Sequence, residues 1–311
     1  MRADKHLRKK KRGRRRLFVF FTIVTLLFAG VAWFVYDQFL SGLNETAAES
    51  TIKKTEYEFN GQKDENGNTN VLVLGSDSRG EKQARTDTIM IAQYNEKSKK
   101  PKLLSIMRDS YVEIPGHGQN KINTAFAIGG PDLLRETIKH NFDIDIQHYA
   151  IVDFKGFESM IDTAFPEGVE VDVENKMSHK IGVTIEPGVQ KLDGEHLLGY
   201  VRYRGDAESD FGRVRRQQEV MNLLMKDMLT IEGVAKLPKL AGVITPYINT
   251  NLDTSTGIFI AKDIISNKSD LKTMRVPVDG SFENARYNGS GAVLDLNIEE
   301  NREAIKSFMN S

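Results

Sequence analysis

The stretch VLVLGSDSRGEKQARTDTIMI, residues 71–91, sets two short apolar runs on either side of a polar connection. VLVLG (71–75) and TIMIAQY (88–94) are rich in β-branched residues and shorter than most helices, so they predict buried strands. Asp77 and Arg79 follow Gly75 closely, and Arg85 and Asp87 stand just before the second strand. Charges gathered in the loop beyond a buried strand occupy the place where open α/β sheets collect ligands. Asp77 and Asp87 together offer two carboxylates to one hard cation such as Mg²⁺, which takes one or two of them beside phosphate oxygens and water. Each aspartate is also a common turn cap.

Outward from this stretch, KLLSIM (102–107), YAIVDF (149–154), VEVDV (169–173) and LKTMRVPV (271–278) repeat the strand pattern. Helical periodicity marks NTAFAIGGPDLLRETIKHNF (123–142), interrupted at Gly-Gly-Pro, then KGFESMIDTAF (155–165) and DGEHLLGYV (193–201). IEGVAKLPKLAGVI (231–244), TGIFIAKDIISN (256–267) and IEENREAIKSFMN (298–310) complete the same core. Interleaved strands and helices give an α/β class, layered in the α+β manner: a mixed central sheet flanked by helices, in one large domain over residues 69–311.

Residues 17–36, LFVFFTIVTLLFAGVAWFVY, carry no charge. At about 1.5 Å of rise per residue they span about 30 Å, the thickness of a bilayer's hydrocarbon core. Trp33 and Tyr36 lie where amphipathic rings prefer the interface. A cleaved signal peptide shares the order of basic then apolar, but its apolar region is shorter. Residues 1–16 hold ten Lys or Arg against one Asp. The positive-inside rule then predicts a cytoplasmic basic tail (1–16), a signal anchor (17–36), a stalk (37–68) and an exported domain, a single-pass type II arrangement in the cell membrane. The chain has 43 basic and 43 acidic residues, so beyond residue 16 there remain 33 and 42, a net of minus nine. That balance excludes general nucleic-acid binding by the domain. With no cysteine, the exported domain must stand on its own core.

RYRGDAESDFGRVRRQQEV (202–220) places five arginines before an apolar run. With Ser209 or Asp210 as N-cap, the pattern predicts a helix from about Phe211 to Met228. Val214, Met221, Leu224, Met225 and Met228 share the face read as core, Arg213, Arg216 and Gln217 lie along one edge, and Arg215 points nearly opposite. Arg202 and Arg204 alternate along a segment read as extended. Two arginines from each segment can converge on one multiply charged group, at a helix N-terminus that already favours an anion. Asp206, Glu208 and Asp210 are equally available to pair them into a solvated helix edge. Arg108 follows a fully apolar strand, and Lys121 precedes a helix.

No P-loop, nucleophile elbow or H-E-x-x-H is present, and the six histidines show no ligand spacing, with His117, His140 and His179 read as surface residues. An inventory of Arg, Asp and Lys suits binding or transfer of phosphoryl groups, where positioning and charge neutralisation supply most of the catalysis.

Taken in order, VLVLGSDSR, RTDTIMI, SIMRDSYVEIPG, KINTAFAIGGPDLL, VDFKGFESMID, LDGEHLLGYVRYR and DFGRVRRQQEV resemble the LytR-CpsA-Psr family, over roughly residues 70–228. Met107 in MRD, where many members have proline, together with VRRQQ and KLPKLAGVI, is similar to the MsrR-type branch, whose members were named as regulators. The resemblance implies a phosphotransferase that moves an anionic glycopolymer, such as wall teichoic acid or capsule, from a polyprenyl-pyrophosphate carrier to a muramic acid hydroxyl of peptidoglycan. It implies Asp77 and Asp87 as holders of Mg²⁺ (or Mn²⁺) and, with Arg108, as the catalytic set. Arg79, Arg85, Arg108, Lys121, Arg202, Arg204, Arg213, Arg216 and Gln217 would bind the pyrophosphate. An apolar groove for the lipid is also implied, and AFAIGG (125–130), Leu133 and Ile138 are open to two readings, groove lining or core packing. A second reading keeps the lipid-pyrophosphate site and drops the chemistry, leaving a binder or sensor of such intermediates. A third, a DNA-binding regulator, needs contact through an acidic exported domain or through sixteen residues too short to fold.

Overall fold

The computed structural model describes residues 29–30, 32–46, 55–76 and 86–311. The basic tail, most of the anchor segment, and Asp77, Arg79 and Arg85 lie outside the described residues. Among the described residues, no helix is long and apolar enough to cross a membrane.

A helix over residues 32–46, α1, comes first. After it come β1 (Asn68–Ser76), β2 (Thr86–Asn95), β3 (Lys102–Ile106), β4 (Ser110–Ile114) and β5 (Gly118–Lys121). Next are α2 (Ile122–Phe142), β6 (His148–Asp153), α3 (Phe154–Ala164), the hairpin β7 (Val169–Val173) and β8 (Gly188–Leu192), α4 (Gly194–Arg202) and α5 (Asp210–Met228). The chain closes with α6 (Ile231–Ile244), β9 (Ile248–Thr250), α7 (Thr254–Asn267), β10 (Lys272–Val276), β11 (Phe282–Tyr287), β12 (Gly291–Leu296) and α8 (Ile298–Asn310).

Six strands form a mixed sheet in the order β10-β3-β2-β1-β6-β9. β1 runs antiparallel to β2 and parallel to β6, so the first-read stretch supplies the sheet's middle. Strand alternation divides the two faces. Leu72, Leu74, Ile89 and Ile91 enter a core shared with Leu134 and Ile138 of α2 and Ile305 of α8. Val73, Gly75, Thr88 and Met90 line a cavity instead. A second sheet, β11-β12-β4-β5, carries the segment that follows Arg108.

The expected Gly-Gly-Pro interruption is a kink in α2, where Gly130 adopts φ 66° ahead of Pro131. Of the two readings of the apolar residues of α2, core packing holds. Ala125, Phe126 and Ile138 are packed in the core, and Leu133 lies against it. The helix's apolar stripe matches the packed face of the sheet, so it has no groove to line.

α5 departs from expectation in part. Val214 and Leu224 join the core, Leu224 also reaching the cavity, but Met221, Met225 and Met228 face the cavity, together with residues of α6 and α7. The segments after residue 230 therefore wall an open space as well as completing the core.

The stalk is docked onto the domain wherever it is described. Tyr57 and Phe59 pack on Tyr149, with ring centroids 6.1 and 5.0 Å apart. The Gln62 amide donates to Ile146 O at 2.9 Å. α1 crosses α6 at reciprocal glycines: a Cβ on Gly42 would stand 2.2 Å from Lys239 O, and one on Gly242 2.2 Å from Phe39 O. Thr46 Oγ1 donates to Val243 O at 3.1 Å, and Lys239 pairs with Glu45 at 3.0 Å. Neither backbone can withdraw to admit a side chain without losing these contacts. Gly42→Leu is therefore expected to cost about 1–3 kcal/mol in denaturant unfolding of the full chain. The exposed Ser41→Ala should stay within about 0.5 kcal/mol.

Candidate functional site

The cavity has a volume of about 1310 Å³. Its walls are apolar: Val73 and Met90 from the sheet, Phe157 and Met160 from α3, Leu224 and Met225 from α5, Leu240 and Ile244 from α6, Ile258 and Ile264 from α7. Of the charged residues in its lining, Asp87, Arg108, Arg204, Asp210 and Arg213 form a connected network.

Arg108, the second residue beyond β3, is the hub. Its Nη1 donates to Asp87 Oδ1, and its Nε to Asp210 Oδ2 at 3.2 Å and Asp109 Oδ2 at 3.4 Å. Asp210, the first residue of α5, also holds Arg204 at 3.5 Å and Arg213 at 3.4 Å. Lys121 Nζ donates to Asp109 Oδ1 at 2.7 Å. Gln217 Nε2 donates to Thr88 Oγ1 at 3.1 Å, and the Arg202 guanidinium lies 4.5 Å from the Phe154 ring centroid.

Arg213 and Arg216 are both almost wholly buried, at 3 and 2 % exposure, but their situations differ. Arg216 donates through Nη1 to Asp206 Oδ2 and through Nη2 to Tyr203 O, each at 2.6 Å, and lies over the Tyr203 ring. It clamps the loop between α4 and α5 and does not line the cavity. The Nε of each arginine lacks a hydrogen-bond partner, but Arg213 lines the cavity and has only a long contact, to Asp210. Burial lowers the Arg213 pKa; Asp210 opposes that shift and the nearby Arg108 charge adds to it. Burial also works against Arg108, but Asp87 and Asp210 outweigh it and raise its pKa. The site thus holds one well-neutralised guanidinium beside one that an added anion would stabilise.

Of the residues read from sequence, Asp87, Arg108, Arg202, Arg204, Arg213 and Gln217 meet at the cavity. Lys121 stands behind them on Asp109, and Arg215 pairs outward with Glu174 and Glu208. The extended reading of Arg202 is corrected: it ends α4, and the chain extends from Tyr203 onward. Both Arg202 and Arg204 nonetheless reach the lining, because the helix end turns the chain at that point. His179 is exposed as expected, yet it joins Lys180 at the cavity rim. The carboxylates of Asp109 and Asp210 were not singled out as site residues; the i,i+3 spacing of Asp210 and Arg213 was the available signal.

Among the described residues, no group of three His, Asp or Glu is placed to hold a metal ion. Asp87 is half-exposed and gives one oxygen to Arg108. Its donor chemistry fits a hard cation that takes one or two protein carboxylates and completes its shell with phosphate oxygens.

The model of the LytR_cpsA_psr family matches residues 34–306. The regulatory protein MsrR of Staphylococcus aureus (strain COL) is 47% identical over 257 residues, covering 81% of this chain and 78% of that one. The polyisoprenyl-teichoic acid–peptidoglycan teichoic acid transferase TagT of Bacillus subtilis (strain 168) is 34% identical over 233 residues, covering 71% of this chain and 70% of that one. Among solved structures, the LytR-CPS2A-psr family protein YwtF (TagT) with bound octaprenyl pyrophosphate lipid is similar at a TM-score of 0.58 and 27% identity, over 80% of this chain and 94% of that one.

Two outcomes follow from the pairing pattern. Arg216→Met should cost roughly 1–3 kcal/mol in unfolding for the partners it abandons, whereas Arg213→Met leaves Asp210 with Arg108 and Arg204 and should change ligand-free stability little. Burial pushes the Asp109 carboxyl up, but Lys121 and Arg108 outweigh it and hold its pKa below the usual value. Its stabilising contribution is then present above about pH 4 and lost as pH falls through the lower folded value. Lys121→Met should shrink that acid-side loss in thermal melts.

Proposed function

The chain belongs to the LytR_cpsA_psr family, and on that premise we propose that it is a membrane-anchored phosphotransferase. It moves an anionic glycopolymer, wall teichoic acid or a capsule-like chain, from a polyprenyl-pyrophosphate carrier to a muramic acid hydroxyl of peptidoglycan. The observation that carries this reading is the incompletely paired, buried Arg213 at the charged end of a large apolar cavity. A polyprenyl pyrophosphate has the same two halves. Each buried CH₂ of the lipid contributes about 0.8 kcal/mol, which gives affinity without position. The arginines supply position, because a planar guanidinium donates along fixed directions to phosphate oxygens. The relative named as a teichoic acid transferase and the similar structure named with a bound octaprenyl pyrophosphate both support it.

In the transfer, the acceptor hydroxyl oxygen forms a bond to the phosphorus nearer the sugar. The bond from that phosphorus to the bridging oxygen breaks, and polyprenyl phosphate leaves with the electron pair. Arg108 and Arg213 neutralise charge that builds on the phosphoryl oxygens, and Gln217 holds β2 against α5 through Thr88. Asp87, the carboxylate nearest Arg108, or Asp77 would receive the hydroxyl proton. Asp87, with Asp77 by the sequence pattern, would hold Mg²⁺ or Mn²⁺, whose charge would polarise the phosphoryl oxygens. We assign residues 1–16 to the cytoplasm, 17–36 to the anchor and the domain to the outer face of the cell membrane, where its acceptor lies.

The test is covalent attachment of sugar, followed by mass spectrometry, with the full chain in detergent, a polyprenyl-pyrophosphate-linked donor, peptidoglycan oligomers and Mg²⁺. Arg108→Ala and chelation should each reduce attachment at least about a hundredfold, on the scale of losing an oxyanion-type donor. Donor lipid that binds tightly with no attachment to any acceptor would replace the transferase with a binder or sensor of these intermediates.

A further inference from the structure

The outward face of the second sheet carries an aromatic pair that neither the core nor the cavity uses. Ser110, Val112 and Ile114 of β4 point inward and are buried, so Tyr111 and Glu113 point outward. Tyr111 stacks obliquely on Tyr287 of β11, with centroids 4.7 Å apart and rings inclined at 37°. Tyr287 is 38 % exposed, and its hydroxyl donates to Asp295 Oδ2 at 2.5 Å. Asp295 pairs with both Tyr111 and Glu283 in register, so two carboxylates border the rings.

This face is joined to the charged end of the cavity. Tyr111 lies directly opposite Lys121 across β4 and β5, which puts their side chains on one face. Lys121 reaches Asp109, and Asp109 reaches Arg108. A ligand lying on the tyrosines would thus end within a few side chains of the residues assigned to the phosphoryl group.

We propose that the Tyr111–Tyr287 face is a saccharide subsite for the acceptor glycan, a chain of N-acetylated sugars. Electrostatics choose this occupant over the donor polymer. Glu113, Glu283 and Asp295 would repel a polyanion, and Lys121 is already neutralised by Asp109. The same carboxylates accept hydrogen bonds from sugar hydroxyls and acetamido N–H groups, while the electron-rich ring faces take the C–H bonds of a pyranose. Naming this glycan the acceptor rests on the transferase reading; the saccharide subsite itself does not.

The test uses the full chain in detergent and two probes, a β-1,4-linked N-acetylglucosamine tetramer and octaprenyl pyrophosphate. Saturation-transfer NMR and titration should show the tetramer bound. Tyr287→Ala should weaken it at least tenfold, Tyr287→Phe should weaken it less, and octaprenyl pyrophosphate affinity should be unchanged. In the transfer assay, Tyr287→Ala should raise the acceptor KM with little effect on kcat. Tetramer affinity equal in wild type and Tyr287→Ala would overturn the subsite, as would no tetramer binding by a chain that still binds octaprenyl pyrophosphate. Failure of octaprenyl pyrophosphate to bind would instead strike the transferase reading and leave the tetramer comparison to be scored by itself. Tyr111→Ala is a second variant, expected to act in the same direction, should Tyr287→Ala fail to fold.

Discussion

Asp210 is surrounded by the guanidinium groups of Arg108, Arg204 and Arg213, and that crowding shapes everything around it. One carboxylate cannot neutralise three cations, and Asp87 relieves only Arg108. The remaining positive charge is held at the end of a space walled by methionine, leucine and isoleucine, where water screens it poorly. A fold that buries Arg213 in this way leaves a desolvated donor that an anion would stabilise.

The architecture supports this arrangement by giving the central sheet two unlike faces. One packs against α2 and α8 as an ordinary core. The other faces the cavity, whose far walls are α6 and α7. α6 in turn is pinned from behind by α1 through glycine-to-backbone contact. The wall of the cavity is therefore connected to the helix that follows the uncharged stretch of residues 17–36, and the docked Tyr57 and Phe59 extend that attachment to β6.

Buried strands were legible because they announce themselves by β-branched runs, and β1 and β2 emerged as read, whereas their order in the sheet and the strands β4, β5, β8, β9, β11 and β12 were not. The site's cations were legible for a related reason: an arginine just after an apolar strand, or at the start of an amphipathic helix, has few harmless explanations. Three further things were not legible. Arg202 looked extended because YVRYR alternates, but the Asp193 cap and the packing of α4 keep it helical to its end. Arg216 shared a helix edge with Arg213, and periodicity cannot tell which of two neighbours finds a partner in Asp206 and which faces a cavity. The cavity's walls stayed undecided, with α2 open to either role, because an apolar face reads the same whether it meets a packed sheet or an empty space. Only the relative position of α6 and α7, a long-range property, distinguishes the two.

The central claim is that the site recognises a molecule by both halves at once, lipid in the cavity and diphosphate on Arg213. The direct measurement is the affinity of the full chain in lipid nanodiscs for octaprenyl pyrophosphate and for octaprenol, in wild type and Arg213→Met. The account predicts that the pyrophosphate binds at least about a hundredfold tighter than the alcohol, a difference of about 2.7 kcal/mol. In Arg213→Met that gap should narrow at least tenfold, with octaprenol affinity unchanged. Equal affinities for the two lipids in wild type, or a gap untouched by Arg213→Met, would contradict it.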